Sequence, residues 1–188
     1  MAALPRGGVP VGFEIAQQLH LPLDVFMVRK IGVPSQPELA LGAVASGGIR
    51  VLNERIAAEV RLSGEQTEQL VSREVAELVR REREYRGEHA AIVAAGKVVV
   101  LVDDGLATGA SMRAAIAALQ SASPARVVIA APVAAAESLR QLASIADEVV
   151  CPLIPNNFYA VGEWYEDFRQ VTDSEVSEYL KRARERSF

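Results

Sequence analysis

Val98-Val99-Val100-Leu101-Val102-Asp103-Asp104-Gly105-Leu106-Ala107-Thr108-Gly109-Ala110-Ser111, or VVVLVDDGLATGAS, is the stretch that decides the fold. Its first five residues are apolar and mostly β-branched, the composition of a parallel strand covered on both faces. Two adjacent acids end the run, and Gly105 and Gly109 open a short loop. From Ser111 to Gln120 the spacing turns helical, with Met112, Ala115, Ile116 and Leu119 on one side. A strand, a tight loop and a helix in that order form one unit of an open α/β sheet.

The same alternation continues on both sides. Downstream, Ser123-Pro124 breaks the helix, and Val127 to Val133 reads as the next strand. Leu139, Leu142 and Ile145 mark another helix, and Glu148 to Leu153 another strand. Thr172 and Glu175 have the spacing of a capping box that opens a charged helix. Upstream, Ala2-Ala3-Leu4 reads as a strand end running into Pro5-Arg6-Gly7-Gly8. A helix over Val11 to Leu19 and a strand over Leu23 to Val28 follow, the strand ending in Arg29-Lys30. Gly32 to Glu38, with Pro34 and Pro37, predicts a loop. Leu39 to Ala45 and Ile49 to Leu52 flank Ser46-Gly47-Gly48 as a hairpin. Ser63 to Tyr85 predicts a long helix. Ser63 and Gln66 cap its start, Val71, Val75, Leu78 and Val79 form its apolar stripe, Glu77 and Arg81 pair on its wet side, and Gly87 ends it. The expected fold is α/β, a doubly wound, mainly parallel sheet in a single domain over residues 1–188. A hairpin and long helix are inserted at 39–90, and residues 154–188 form a small C-terminal hood and helix.

Composition narrows the function classes. Half of the 188 residues are hydrophobic, and mean hydropathy is +0.15, which describes a chain with a core and not a disordered one. The net charge of -4 argues against a general nucleic-acid binder. The one cysteine, Cys151, follows Val149-Val150 and reads as a buried structural residue, with no partner for a disulfide or a zinc site. No apolar run approaches the length of a membrane span. With no signal-peptide pattern, a cytoplasmic location is the expectation.

The chemistry sits where the strand meets the helix. Ligands of open α/β sheets bind beyond the carboxyl ends of the strands. A helix N-terminus offers free N–H groups and the positive end of its dipole. Gly105 and Gly109 let that backbone close on a ligand, and Thr108 and Ser111 add hydroxyl donors. This is a phosphate cradle. Two carboxylates beside it make sense if the ligand also carries a diol or a hydrated Mg²⁺. The loop asks for a phosphorylated sugar with a divalent cation nearby.

VVVLVDDGLATGAS resembles the phosphoribosyl-pyrophosphate motif of the type I phosphoribosyltransferase family, the adenine and orotate members above all. Leu4-Pro5-Arg6-Gly7-Gly8 resembles that family's first-strand loop, which often carries a strained peptide and meets pyrophosphate. Val28-Arg29-Lys30 resembles the V-R-K step after the second core strand. Pro155-Asn156-Asn157-Phe158, then Val161-Gly162 and Trp164-Tyr165-Glu166-Asp167-Phe168, resembles the hood of the hypoxanthine-guanine members. The resemblance implies transfer of 5-phosphoribose from phosphoribosyl pyrophosphate to a nitrogen acceptor, a nucleobase by analogy, with Mg²⁺ as cofactor. It implies that Asp103 and Asp104 hold the ribose hydroxyls and the metal. Thr108, Gly109, Ala110 and Ser111 would grip the 5-phosphate, with Gly105 and Ala107 also in the phosphoribosyl-pyrophosphate site. Arg6, Gly7, Gly8 and Lys30 would meet the pyrophosphate, with Lys30 catalytic beside the two aspartates. Phe158 or Tyr159 would stack on the acceptor.

A homodimer joined through the long helix is a further implication of the resemblance, as is a mobile segment over Gly32 to Ala45. The pattern departs from the hypoxanthine-guanine members at Ala107, where they carry an acid. A general base must then come from elsewhere, and Glu38 and Glu163 are candidates by location. The chain also begins almost on the first loop, which reads as truncation. The alternative is a sensor that keeps the ligand site without turnover.

Overall fold

The computed structural model describes residues 1–34, 36–91 and 93–185. Five short parallel strands form the central sheet: β1 (Ala2–Ala3), β2 (Asp24–Val25), β6 (Val98–Val102), β7 (Arg126–Ala130) and β8 (Glu148–Val150), in the order β2-β1-β6-β7-β8. A separate antiparallel sheet joins β3 (Val28–Val33), β4 (Gln36–Ala45) and β5 (Ile49–Leu52). The helices are α1 (Gly8–Leu19), α2 (Glu54–Glu59), α3 (Gly64–Arg86), α4 (Ala110–Gln120), α5 (Ala136–Ala143) and α6 (Asp173–Glu185).

Two cores lie on the two faces of the parallel sheet, as strand alternation demands. Leu101 and Ile129 face Met112, Ile116 and Leu119 of α4 and Leu142 of α5. Val102 and Ala130 face Val9 and Phe13 of α1, Leu78 of α3 and Leu180 of α6. The expected doubly wound α/β arrangement is therefore present. Where the sequence signal is physical, the elements follow it closely. Val98–Val102 is a strand end to end. Ser63 caps α3 in a reciprocal box with Gln66, and Gly87 closes it at φ 63°. Thr172 and Glu175 form the second box, with bonds of 2.9 and 3.3 Å.

Several expectations need correction. Leu23 to Val28 is not one strand. Phe26 still donates to Ala3 O at 2.9 Å, completing the parallel pairing. Met27 N–H instead meets Ser46 Oγ at 2.8 Å and hands the chain to the antiparallel sheet. The predicted loop from Gly32 is largely strand, with β3 and β4 paired from Val28↔Ala45 to Val33↔Gln36 and register shifts around Gly32. Among its described residues the segment from Gly32 to Ala45 is therefore mostly ladder-paired strand. Strands β7 and β8 end earlier than expected, and the reach to Val133 and Leu153 survives as one isolated bridge. Helix α2 carried no recognised signal. Val79 and Ile145 are each 38 % exposed, outside the stripes assigned to them. Cys151 is half-buried, packed against the edge of the core with its thiol on Leu153 O at 3.3 Å, and not fully buried as expected. No described helix is long and apolar enough to cross a membrane.

Candidate functional site

The carboxyl ends of β1 and β6 open into a cavity of about 770 Å³, lined in part by Arg6, Gly7, Asp104 and Ser111. Its floor is a contact between two backbone segments. A Cβ on Gly7 would stand 1.7 Å from Asp104 Oδ2. One on Gly8 would stand 2.6 Å from Val102 O and 2.9 Å from Asp103 Cα. The Pro5-Arg6-Gly7-Gly8 loop, whose Pro5–Arg6 peptide is cis, thus lies flat on the Val102–Asp104 step, and only glycine permits that approach. Leu4 N–H locks the two segments together through Val102 O at 2.8 Å.

The two aspartates have different surroundings. Asp104 lines the cavity. Asp103 Oδ1 accepts the Asp104 N–H at 3.0 Å, its own N–H reaches Ala130 O at 3.2 Å, and it is not part of the cavity lining. Burial, followed by the charge of Asp104, pushes the Asp103 carboxyl from 3.8 to about 7. Burial raises Asp104 as well, opposed by the Gly105 N–H. The folded chain therefore holds a proton on Asp103 that the unfolded chain releases. Its contribution is full below about pH 4 and is lost as pH rises to about 7. Melting of the ligand- and cation-free protein across this window should fall more steeply for the native chain than for Asp103→Asn. Parallel curves would sink this assignment.

The loop over residues 105–109 is held from beneath. Leu106 is buried, donates to Val133 O and accepts from Ala135 N–H, both at 3.0 Å. Ser138 Oγ donates to Ala107 O. Arg113 Nη1 bonds Thr108 O at 2.7 Å and Gln141 Oε1 at 3.0 Å. These contacts leave Ala107, Thr108 and Ser111 exposed at the start of α4, with Ala110 half-buried. Gly109 turns the chain into the helix at φ 67°. Gly109→Val would strain that turn and bring its Cβ within 3.2 Å of Leu142, costing about 1–3 kcal/mol. We expect weaker binding of phosphoribosyl pyrophosphate by this variant in calorimetry, and unchanged binding would remove the cradle.

Two predicted site groups stand elsewhere. Lys30 is exposed and lines a different groove with Ala114, Ala117 and Ala118 of α4. Neighbours on a strand point to opposite faces, so β3 brings Arg29 to the cavity instead, paired with Glu74 at 2.7 Å. Phe158 is half-buried and Tyr159 is 82 % exposed; neither lines this cavity. The aromatic wall is Tyr165 and Phe168, with ring centroids 5.2 Å apart. Tyr165 Oη donates to Asp104 O at 2.5 Å. Burial, then the charges of Asp104 and Asp103, push its phenol up to about 12 and keep it a donor. Phe168 fits because residue 162 is glycine, whose Cβ would stand 2.7 Å from Phe168 Cδ1. Glu163 is exposed, and the Glu38 side chain lies outside the described residues. The sequence reading missed Arg81 and Tyr85 of α3, Arg169, and Asp173 of α6, all of which line the cavity. Helical periodicity marked α3 but could not say what its polar face meets.

Among the described residues, no three His, Cys, Asp or Glu side chains gather as a metal cage. Two adjacent carboxylates do suit Mg²⁺, which keeps much of its water and is held mostly by substrate phosphates.

Comparison with known proteins agrees with this geometry. Two curated Mycobacterium tuberculosis proteins, from strains H37Rv and CDC 1551 / Oshkosh, are provisionally named phosphoribosyl transferases. Each is 43% identical over 180 residues, covering 96% of this chain and 41% of theirs. The chain thus spans about two fifths of the length of these relatives. The crystal structure of TT1426 from Thermus thermophilus superposes with a TM-score of 0.81 at 43% identity, covering 96% of this chain and 86% of that one. Residues 1–167 match the phosphoribosyl transferase domain, and with the motif loop, the glycine contact and the cradle in place the chain belongs to that family.

Proposed function

We propose that the chain transfers 5-phosphoribose from phosphoribosyl pyrophosphate to a nitrogen of an acceptor, probed first with nucleobases, and releases pyrophosphate. The observation that carries this reading is the juxtaposition of Asp104 with the Gly7-Gly8 backbone, beside the helix N-terminus at Gly109. A carboxylate against the Gly7 backbone, with Ser111 of the α4 N-terminus lining the same cavity, would suit a sugar with phosphate at one end and diphosphate at the other.

The protein's part in such a displacement is positioning and electrostatics. The α4 N-terminus with Thr108 and Ser111 holds the 5-phosphate. Asp104 accepts from the ribose hydroxyls and stands near the carbon that gains positive charge. Arg6 and Arg29 face the departing diphosphate. Tyr165 and Phe168 give the acceptor ring a stacking wall, a contact worth about 1–3 kcal/mol per base in other systems. Asp104, with Asp103 beside it, would hold Mg²⁺, which supplies charge neutralisation on the diphosphate when bound. The exposed Ala107 offers no proton acceptor, so a general base must come from another residue, or the site binds without turnover.

Calorimetric titration with phosphoribosyl pyrophosphate, with and without Mg²⁺, tests the site. A screen of nitrogen acceptors for pyrophosphate release then tests turnover. Mg²⁺-dependent binding followed by release supports the transferase. Mg²⁺-dependent binding with no release for any base leaves the sensor reading. No binding at millimolar ligand overturns both.

A further inference from the structure

Four arginines line the cavity, and each rests on a carboxylate from α3 or α6. Arg29 pairs with Glu74 at 2.7 Å, Arg81 with Glu77 at 2.8 Å and Arg169 with Glu175 at 2.5 Å. The fourth contact joins three separate elements. Asp173 Oδ1 stands 3.6 Å from Arg6 Nη1 and accepts from Tyr85 Oη at 2.5 Å. Asp173 is the first residue of α6, yet Thr172 and Glu175 already cap that helix. The Asp173 carboxylate is therefore not needed for capping.

Its position is fixed by packing. Ser177 Oγ ties α6 to Glu84 O of α3 at 2.9 Å. Tyr179 packs on Phe13 of α1 at 5.2 Å, with the Arg182 guanidinium over the same ring at 4.8 Å. A half-exposed ion pair at 3.6 Å adds little to stability. What it can do is hold a long side chain with many rotamers in one place. A guanidinium has five N–H donors, so a contact through Nη1 leaves most of the fork for a ligand.

We infer that Asp173, steadied by Tyr85, is a positioning residue that holds Arg6 over the cavity for the diphosphate of the substrate. The inference rests on the phosphoribosyl pyrophosphate reading and adds a function for the two helices outside the motif loops. Arg6 is pre-ordered by a carboxylate at the cavity wall, so binding does not have to immobilise it.

The test is a double-mutant cycle read by calorimetry with inorganic pyrophosphate and Mg²⁺, on the native chain, Asp173→Asn, Arg6→Ala and the double variant. Asp173→Asn should weaken pyrophosphate about fivefold, and Arg6→Ala about tenfold or more, with the double variant within about twofold of Arg6→Ala. Melting curves check that all four proteins fold. An equal fold-loss from Asp173→Asn with and without Arg6 would mean a general disturbance of α6, and the inference falls. Native-like binding by Asp173→Asn overturns it as well. If the native chain binds pyrophosphate but Arg6→Ala binds equally well, the inference fails while the function reading stands. No pyrophosphate binding by the native chain overturns both.

Discussion

Asp104→Asn should lower the affinity for phosphoribosyl pyrophosphate at least about tenfold while leaving the fold intact. Asparagine keeps the shape that fits over Gly7, where the Asp104 carboxylate leaves no room for a Cβ. It also removes a charge that burial disfavours, so the melting temperature should hold or rise. On the proposed function, what is lost is an anion that would face a cationic sugar and a metal. A neutral amide can accept one ribose hydroxyl but cannot neutralise either charge. Asp103→Asn should cost less binding, because Asp103 is turned into the Asp104 N–H and away from the cavity lining. Calorimetry on both variants, with Mg²⁺ present, separates the two roles. Native-like affinity in Asp104→Asn would remove this site from consideration.

That difference between adjacent aspartates shows what the sequence could and could not deliver. Val98 to Ser111 specified strand, loop and helix because each part obeys local physics: β-branching, a glycine at positive φ, an apolar stripe at helical spacing. Caps at Ser63 and Thr172 were legible for the same reason. The choice between Arg29 and Lys30 was not, since it depends on which face of β3 meets the cavity. A tertiary contact decides that, and period-two spacing allows either outcome. That Tyr165 and Phe168 line the cavity while Phe158 and Tyr159 do not was hidden for a related reason. Phe158 carries the motif, but Gly162 and the Tyr165 bond to Asp104 O are what bring a ring to the site. Asp173 could not be foreseen at all, because its partners Arg6 and Tyr85 lie far away along the chain.

The buried polar junction at the end of α3 was equally hidden, and it carries the largest expected stability effect. Residues 80–86 read RREREYR, a pattern that belongs to a solvated face, yet Arg86 is 6 % exposed. Its Nε meets Asp24 Oδ1 at 2.6 Å, its Nη2 meets Val25 O at 2.7 Å, and its Nη1 stands 2.8 Å from Glu82 Oε1. This ties the last turn of α3 to edge strand β2, whose partner β1 leads into the Arg6 loop. Arg86→Met keeps much of the side-chain bulk but leaves Asp24 and Glu82 without this cation. Breaking a buried pair from one side costs about 3–5 kcal/mol, or about 10 °C in melting temperature for a chain of this size. Adding Asp24→Asn removes one of the two carboxylates that lose this guanidinium, although Asp24 keeps the Val25 N–H bond and the attraction of the Met1 ammonium. Urea unfolding of the native chain and of both variants measures this directly. A loss below about 1 kcal/mol for Arg86→Met would show that the junction is hydrated and that packing of α3 on α6 alone holds the helix in place.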